Sequence, residues 1–81
     1  MTQAIVDCIL AAASEAIGLS AAWALIRFIS RYGLRKLAET AGWAALKKFL
    51  ERIASRVAGF IGWGLIVALL LYEIAKCLGW I

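Results

Sequence analysis

The sequence predicts an all-α protein, and three features of the chain support that prediction. It has no proline among its 81 residues, 65% of them are hydrophobic, and the mean hydropathy is +0.92. Apolar residues recur with the period of three to four that is typical of helices, and no segment has the pattern of a strand. The hydrophobic fraction exceeds the roughly 45 to 50% of ordinary soluble domains. So short a chain cannot bury all this apolar surface in one core, and we expect lipid or further copies of the chain to cover part of it.

The first predicted helix spans residues 3–32. Thr2 is suited to the N-cap position, and Gly33 offers the left-handed conformation in which many helices end. Residues 8–26 contain one charged side chain, Glu15. At about 1.5 Å per residue this stretch is long enough to cross most of a hydrocarbon layer of about 30 Å. We therefore predict that the first helix includes a membrane span.

Two further helices are predicted, at residues 34–56 and 57–80. The second is amphipathic, with an apolar stripe at helical spacing and nearly all of the charge on its other face. The third opens with residues 57–72, none of which is charged. The chain is thus predicted to form one domain, residues 1–81, in which two long apolar helices make a hairpin joined by a basic amphipathic helix.

The cations gather in the middle of the chain. Eight of the nine fall between Arg27 and Arg56, together with two of the five acids. Arginine binds phosphate through two hydrogen bonds, so we predict that these residues bind lipid phosphates or line the lumen of a tube. A nucleic-acid backbone is another partner of suitable charge, and a solvated polar face is the alternative. The predicted residues are Arg27, Arg31, Arg35, Lys36, Lys47, Lys48, Arg52 and Arg56.

Small residues recur at spacing four on the first helix and across the junction into the third. Such faces let helix backbones approach closely in lipid, so we predict that they are helix-packing surfaces. The alternative is that an alanine-rich composition produces the spacing by chance. The predicted packing residues are Ala12, Ala16, Ser20, Ala24, Ala58 and Gly62.

The two cysteines, Cys8 and Cys77, lie near opposite ends of the chain. If the first and last helices run antiparallel, the two residues come to the same level, and a disulfide between them is expected to stabilise the fold by about 4 kcal/mol. Two buried thiols are the alternative. Asparagine is absent and glutamine and methionine are rare, which is a trend of proteins from hyperthermophiles, although a helical membrane composition would give the same bias.

Composition also argues against catalysis. The chain has no histidine, five carboxylates and no cluster of metal-ligand residues, so the groups that acid–base and metal catalysis use are scarce. We expect no enzyme activity, no catalytic residue, no metal and no cofactor, with membrane lipid as the bound molecule.

Two apolar arms around a basic segment resemble the conjugation-type pilins, the subunits of type IV secretion pili and of related archaeal DNA-transfer pili. Here the arms are residues 8–26 and 57–72, and the cations lie between them. The resemblance implies a structural subunit that is stored in the cell membrane. Many copies would then assemble side by side into an extracellular helical filament that contains lipid, with single-stranded DNA as a candidate cargo.

The chain also resembles the circular bacteriocins, whose helices form a saposin-like globule. Residues 42–63, GWAALKKFLERIASRVAGFIGW, look like the cationic amphipathic helix of those peptides. This resemblance implies the alternative function, a cationic peptide that permeabilises membranes. A saposin-like disulfide between the first and last helices would fit it.

Overall fold

The computed structural model describes residues 2–81, which fold into four helices without a strand, and this confirms the predicted all-α class for that part of the chain. Met1, the first residue of the predicted domain 1–81, lies outside the described residues. The Cα atoms have a radius of gyration of 11.6 Å. The helices are α1 (Gln3–Ile17), α2 (Leu19–Leu37), α3 (Thr40–Ala58) and α4 (Trp63–Cys77).

The first helix ends at Gly18 and a second begins directly after it, so the prediction of one continuous helix over residues 3–32 is wrong. Gly18 has φ 88° and ψ 159°, a conformation that glycine adopts because it has no Cβ. Its N–H donates to the carbonyl of Ser14 at 3.0 Å and ends α1, while its own carbonyl accepts from the N–H of Ala22 at 3.0 Å and begins α2. The apolar stretch 8–26 is therefore divided between two helices that pack on each other.

The N-cap of α1 agrees with the sequence. The Thr2 hydroxyl accepts a hydrogen bond from the N–H of Ile5 at 3.3 Å, which satisfies one of the free donors of the first helical turn. Gly33 also departs from helical geometry as its position suggested, with φ 78° and ψ 159°, but helix resumes beyond it as far as Leu37. Gly33 therefore interrupts α2, as the sequence predicts, and divides it into a long helical piece and a short one.

The second and third helices also differ from the predicted ranges 34–56 and 57–80. The observed α3 begins at Thr40, and a loop, Gly59–Gly62, separates it from α4. Gly59 has φ 67° and Gly62 has φ 90°, which lets the chain leave one helix and enter the next within four residues. Among the helices of residues 2–81, none combines the length and the hydropathy that crossing a bilayer requires.

The core lies where all four helices meet. Its side chains come from the apolar stripe of each helix and are almost fully inaccessible to solvent, as expected when amphipathic helices pack together. The largest of them are Ile9, Leu25, Ile29, Leu37, Leu46, Leu50 and Ile74.

The predicted disulfide between Cys8 and Cys77 is present, with a Cα–Cα distance of 5.8 Å. It ties α1 to α4, and Trp80 packs edge-on against Trp43 of α3, with ring centroids 5.4 Å apart. We call this the bridged end of the molecule. Because α1 and α4 run antiparallel, the turn at Gly18 and the loop Gly59–Gly62 lie toward the opposite end, which we call the open end.

Candidate functional site

Two large apolar side chains project into solvent from the loop at the open end. Phe60 is 97% exposed and Ile61 is 90% exposed. They stand between Gly59 and Gly62, whose positive φ angles turn the chain so sharply that neither side chain reaches the core. Single exposed apolar residues are common, but two adjacent ones in a loop, both almost fully exposed, indicate a surface that is covered in the functional state.

Further exposed apolar residues lie beside this loop or at the other connection of the open end. Val57 precedes it in α3, Leu65 follows it in α4, and Leu19 begins α2 at the turn toward the same end. We call Leu19, Val57, Phe60, Ile61 and Leu65 the apolar tip. Because every member lies in or beside one of the two connections at the open end, the exposed apolar surface there is more than one loop.

Cations lie directly beside the apolar tip. Lys48 and Arg52, four residues apart on α3, line a cleft of about 520 Å³ together with Phe60 and Trp63. Glu51 lines the same cleft, so the cleft itself has a small excess of positive charge. We call it the tip cleft. Its combination of exposed aromatic surface and basic side chains is typical of a surface that meets anionic lipid headgroups.

A second cleft, also of about 520 Å³, separates α2 from α3. Arg27 of α2 and Arg56 of α3 both line it. Most of the other lining residues are apolar, and one of them, Phe49, stacks on Phe28 with ring centroids 4.8 Å apart. We call this the α2–α3 cleft.

The structure places all eight predicted cations on the surface, but it does not gather them into one site. The four that line the two clefts are Arg27, Lys48, Arg52 and Arg56. The other four are exposed further along their helices toward the bridged end, and they are Arg31, Arg35, Lys36 and Lys47. Arg35 and Lys36 occupy the last turn of α2, where the helix dipole favours positive charge without any ligand.

The predicted packing residues do not form continuous helix faces. The turn at Gly18 interrupts the first set, and the second set runs from α3 into the loop Gly59–Gly62. Ala12 and Ala16 line a groove between α1 and α4, whereas Ser20 and Ala24 line the α2–α3 cleft. Ala58 ends α3, and Gly62 lies beyond it, in the loop. The six small residues therefore belong to different surfaces and do not form one helix-packing face.

The groove between α1 and α4 is negatively charged, unlike the tip cleft and the α2–α3 cleft. It has a volume of about 470 Å³, its walls are largely apolar, and the charged residues that line it are Glu15 and Glu73. We call it the acidic groove. Sequence reasoning missed it, since the two glutamates are far apart in the chain and come together only because α1 and α4 run antiparallel.

Sequence reasoning also missed Phe60 and Ile61, which it placed inside a long apolar helix. A signal was present in the pattern Gly-Phe-Ile-Gly at residues 59–62, since two glycines around an apolar pair favour a loop as much as a helix.

Comparison of the chain with family models, with curated proteins and with solved structures finds no match.

Proposed function

We propose that the protein binds anionic membrane surfaces through its open end and permeabilises them, as a cationic helical peptide with a saposin-like arrangement of helices. The observation that supports this best is the position of Phe60 and Ile61, both almost fully exposed, beside the exposed cations Lys48 and Arg52. One surface thus offers apolar side chains to acyl chains and positive charge to the phosphates above them.

The expected energies are sufficient for membrane binding. Transfer of Phe60 and Ile61 from water into an apolar layer contributes about 1.5 to 3 kcal/mol each, and each cation near an anionic surface contributes about 1 kcal/mol. The sum for these two side chains and two cations is about 5 to 8 kcal/mol. That range includes the roughly 5.5 kcal/mol of the reversible binding given by one myristoyl chain, whose association constant is about 10⁴ M⁻¹.

Permeabilisation follows from shallow insertion. A wedge of apolar side chains that enters one leaflet expands the headgroup region there but not in the opposite leaflet, and this thins and strains the bilayer. Residues 42–63, which resemble the cationic helix of the circular bacteriocins, contain most of α3 and the whole exposed loop. The Cys8–Cys77 bridge would take the place of their closed backbone.

Dye release from vesicles tests this function. Two preparations are compared, one of phosphatidylcholine alone and one with an equimolar amount of phosphatidylglycerol. We expect micromolar protein to release dye from the anionic vesicles much faster than from the neutral ones, and added salt to slow the release. Anionic vesicles that stay intact, or equal release from both preparations, would contradict the proposal.

A pilus subunit is the second candidate, and the acidic groove favours it. Its apolar walls and its two glutamates complement the basic, apolar surface around Lys48 and Phe60, so one copy could dock on the next. Repeated docking would give the predicted helical filament. The wider proposal keeps a membrane-stored subunit, lipid within an extracellular filament, and single-stranded DNA as cargo.

Negative-stain microscopy separates the two candidates. Filaments in concentrated detergent-free protein would support the pilus subunit. Small uniform particles that release dye from vesicles would support the permeabilising peptide.

A further inference from the structure

We propose that the α2–α3 cleft binds one molecule of anionic phospholipid, with an acyl chain on its apolar floor and the phosphate between Arg27 and Arg56. This inference rests on the proposed function, which brings the protein to such lipids. It goes further by assigning a discrete site with a fixed stoichiometry, distinct from the insertion of the apolar tip.

The shape and lining of the cleft suit an acyl chain. Its volume is about 520 Å³, within the range of about 300 to 1,000 Å³ that is usual for small-molecule sites. Its floor combines apolar side chains from α1, α2 and α3, and mostly small side chains on the α2 side leave space between the helices. The floor residues are Ile17, Ala21, Ala24, Phe49 and Ile53.

The charges of the cleft select the headgroup. Arg27 and Arg56 come from different helices, and they are the charged residues that line this cleft. Both are exposed, so an anion can reach them without displacing a partner from the core. Each guanidinium can donate two parallel hydrogen bonds to a phosphate, and a phosphate between them would offset their mutual repulsion.

A smaller cleft of about 160 Å³ shares Phe49, Ile53 and Arg56 with this one and adds Arg52, but its volume lies below the usual range for a small-molecule site. The two larger neighbours, the tip cleft and the acidic groove, both carry acidic side chains. Glu51 lines the tip cleft beside Lys48 and Arg52, and the two glutamates of the acidic groove would repel a phosphate. A free phosphate would use the two arginines but not the floor, and a neutral amphiphile would use the floor but not the arginines. An anionic phospholipid uses both parts and, unlike a zwitterionic one, brings no positive charge beside the two arginines.

The test uses a lipid with one short chain, lauroyl-lysophosphatidylglycerol, below its micelle concentration and without vesicles. Native mass spectrometry gives the stoichiometry, and calorimetry gives the affinity. We expect saturable binding of one lipid per chain, with shifts in the NMR signals of the Ile17 and Ile53 methyl groups. Lauroyl-lysophosphatidylcholine and inorganic phosphate should each bind at least about tenfold more weakly, because the choline cation of the first is repelled by the two arginines and the second has no acyl chain.

Two kinds of variant separate the headgroup from the chain. Arg27→Gln/Arg56→Gln should weaken binding of the anionic lysolipid by about tenfold or more and bring it to the level of the neutral one. Ala24→Phe should block the floor while leaving the charge unchanged. If Ala24→Phe does not fold, as judged by circular dichroism, Ser20→Phe replaces it, because Ser20 lines the same cleft and is exposed.

The matched control is Lys47→Gln/Lys48→Gln, which removes the same charge from α3, including one cation of the tip cleft, and leaves the residues that line the α2–α3 cleft unchanged. It should retain binding of the lysolipid and lose dye release from anionic vesicles. Binding that survives Arg27→Gln/Arg56→Gln, that exceeds one lipid per chain, or that inorganic phosphate matches would overturn the cleft assignment. Dye release by the wild type without such binding would overturn the cleft alone, whereas such binding without dye release would overturn the proposed function alone.

Discussion

The two ends of this molecule differ in how the chain is held. At the bridged end a disulfide joins α1 to α4, Trp80 packs on Trp43, and Gly42 lies so close to the carbonyl of Lys36 that a Cβ there would collide with it. At the open end two glycines hold a short loop with its apolar side chains in solvent. A small, very apolar chain can thus crosslink its helices at one end while a loop at the other end keeps two large apolar side chains available to a partner.

The largest expected effect concerns the bridged end. Cys8→Ser/Cys77→Ser removes a crosslink between residues 69 apart in the chain, and we expect the free energy of unfolding to fall by about 4 kcal/mol, chiefly because the unfolded chain gains freedom. Urea unfolding followed by circular dichroism measures this change.

Reduction of the wild type with a thiol should give the same loss, and the same thiol should leave the double variant unaffected. A loss below about 1 kcal/mol would mean that helix packing alone stabilises the bridged end, and the contrast between the two ends would then be much weaker.

The next effect concerns the open end and should appear in binding rather than in stability. Phe60→Ser/Ile61→Ser should weaken partition into anionic vesicles by about 3 kcal/mol, roughly a hundredfold, because two side chains that enter the lipid are lost. The free energy of unfolding should change by less than about 0.5 kcal/mol, since both side chains are already exposed in the free protein.

Ile81→Ser is the matched control, because Ile81 is 70% exposed but follows Trp80 at the bridged end. It should leave vesicle partition nearly unchanged. Equal losses from both variants would mean that exposed apolar surface anywhere on the molecule binds lipid, and the open end would have no special role.

The smallest effects compare two helical glycines. A Cβ at Gly42 would overlap the carbonyl of Lys36, whereas a Cβ at Gly64, in the first turn of α4, would meet nothing within 4 Å. Gly42→Ala should therefore destabilise the fold by about 1 to 3 kcal/mol, and Gly64→Ala should stabilise it by about 0.5 kcal/mol. Thermal unfolding of the two variants measures both shifts, and shifts of the same sign would contradict the packing described for the bridged end.

The all-α class and the N-cap at Thr2 could be predicted from the sequence, because periodicity and capping preference are local signals. The Cys8–Cys77 bridge could be predicted, with two free thiols as the alternative, because the first and last helices were expected to run antiparallel and bring both cysteines to one level. The positions of the turn and of the loop between helices could not be predicted. Gly18 sits in an unbroken apolar stretch, where hydropathy favours one long helix, and only the packing of α1 on α2 makes the turn favourable. The same reason explains why the loop Gly59–Gly62 was predicted as helix.

The sequence predicted which charged residues belong to the candidate site, but not where they lie in the fold. Charge counting identified the eight cations, but Arg27 and Arg56 line the same cleft only because α2 approaches α3. Phe60 and Ile61 carry the proposed function, and nothing in their hydrophobicity distinguishes them from residues of the core. Their exposure follows from the backbone conformation of the glycines on either side.

We expect the open end to enter the membrane and the bridged end to stay outside it. Line broadening in NMR spectra by nitroxide-labelled anionic lipid in bicelles measures this directly, since broadening falls steeply with distance from the label. We expect the signals of Phe60 and Ile61 to broaden most and those of Cys8 and Trp80 to broaden least. Broadening that is uniform, or greatest at Cys8 and Trp80, would contradict the claim.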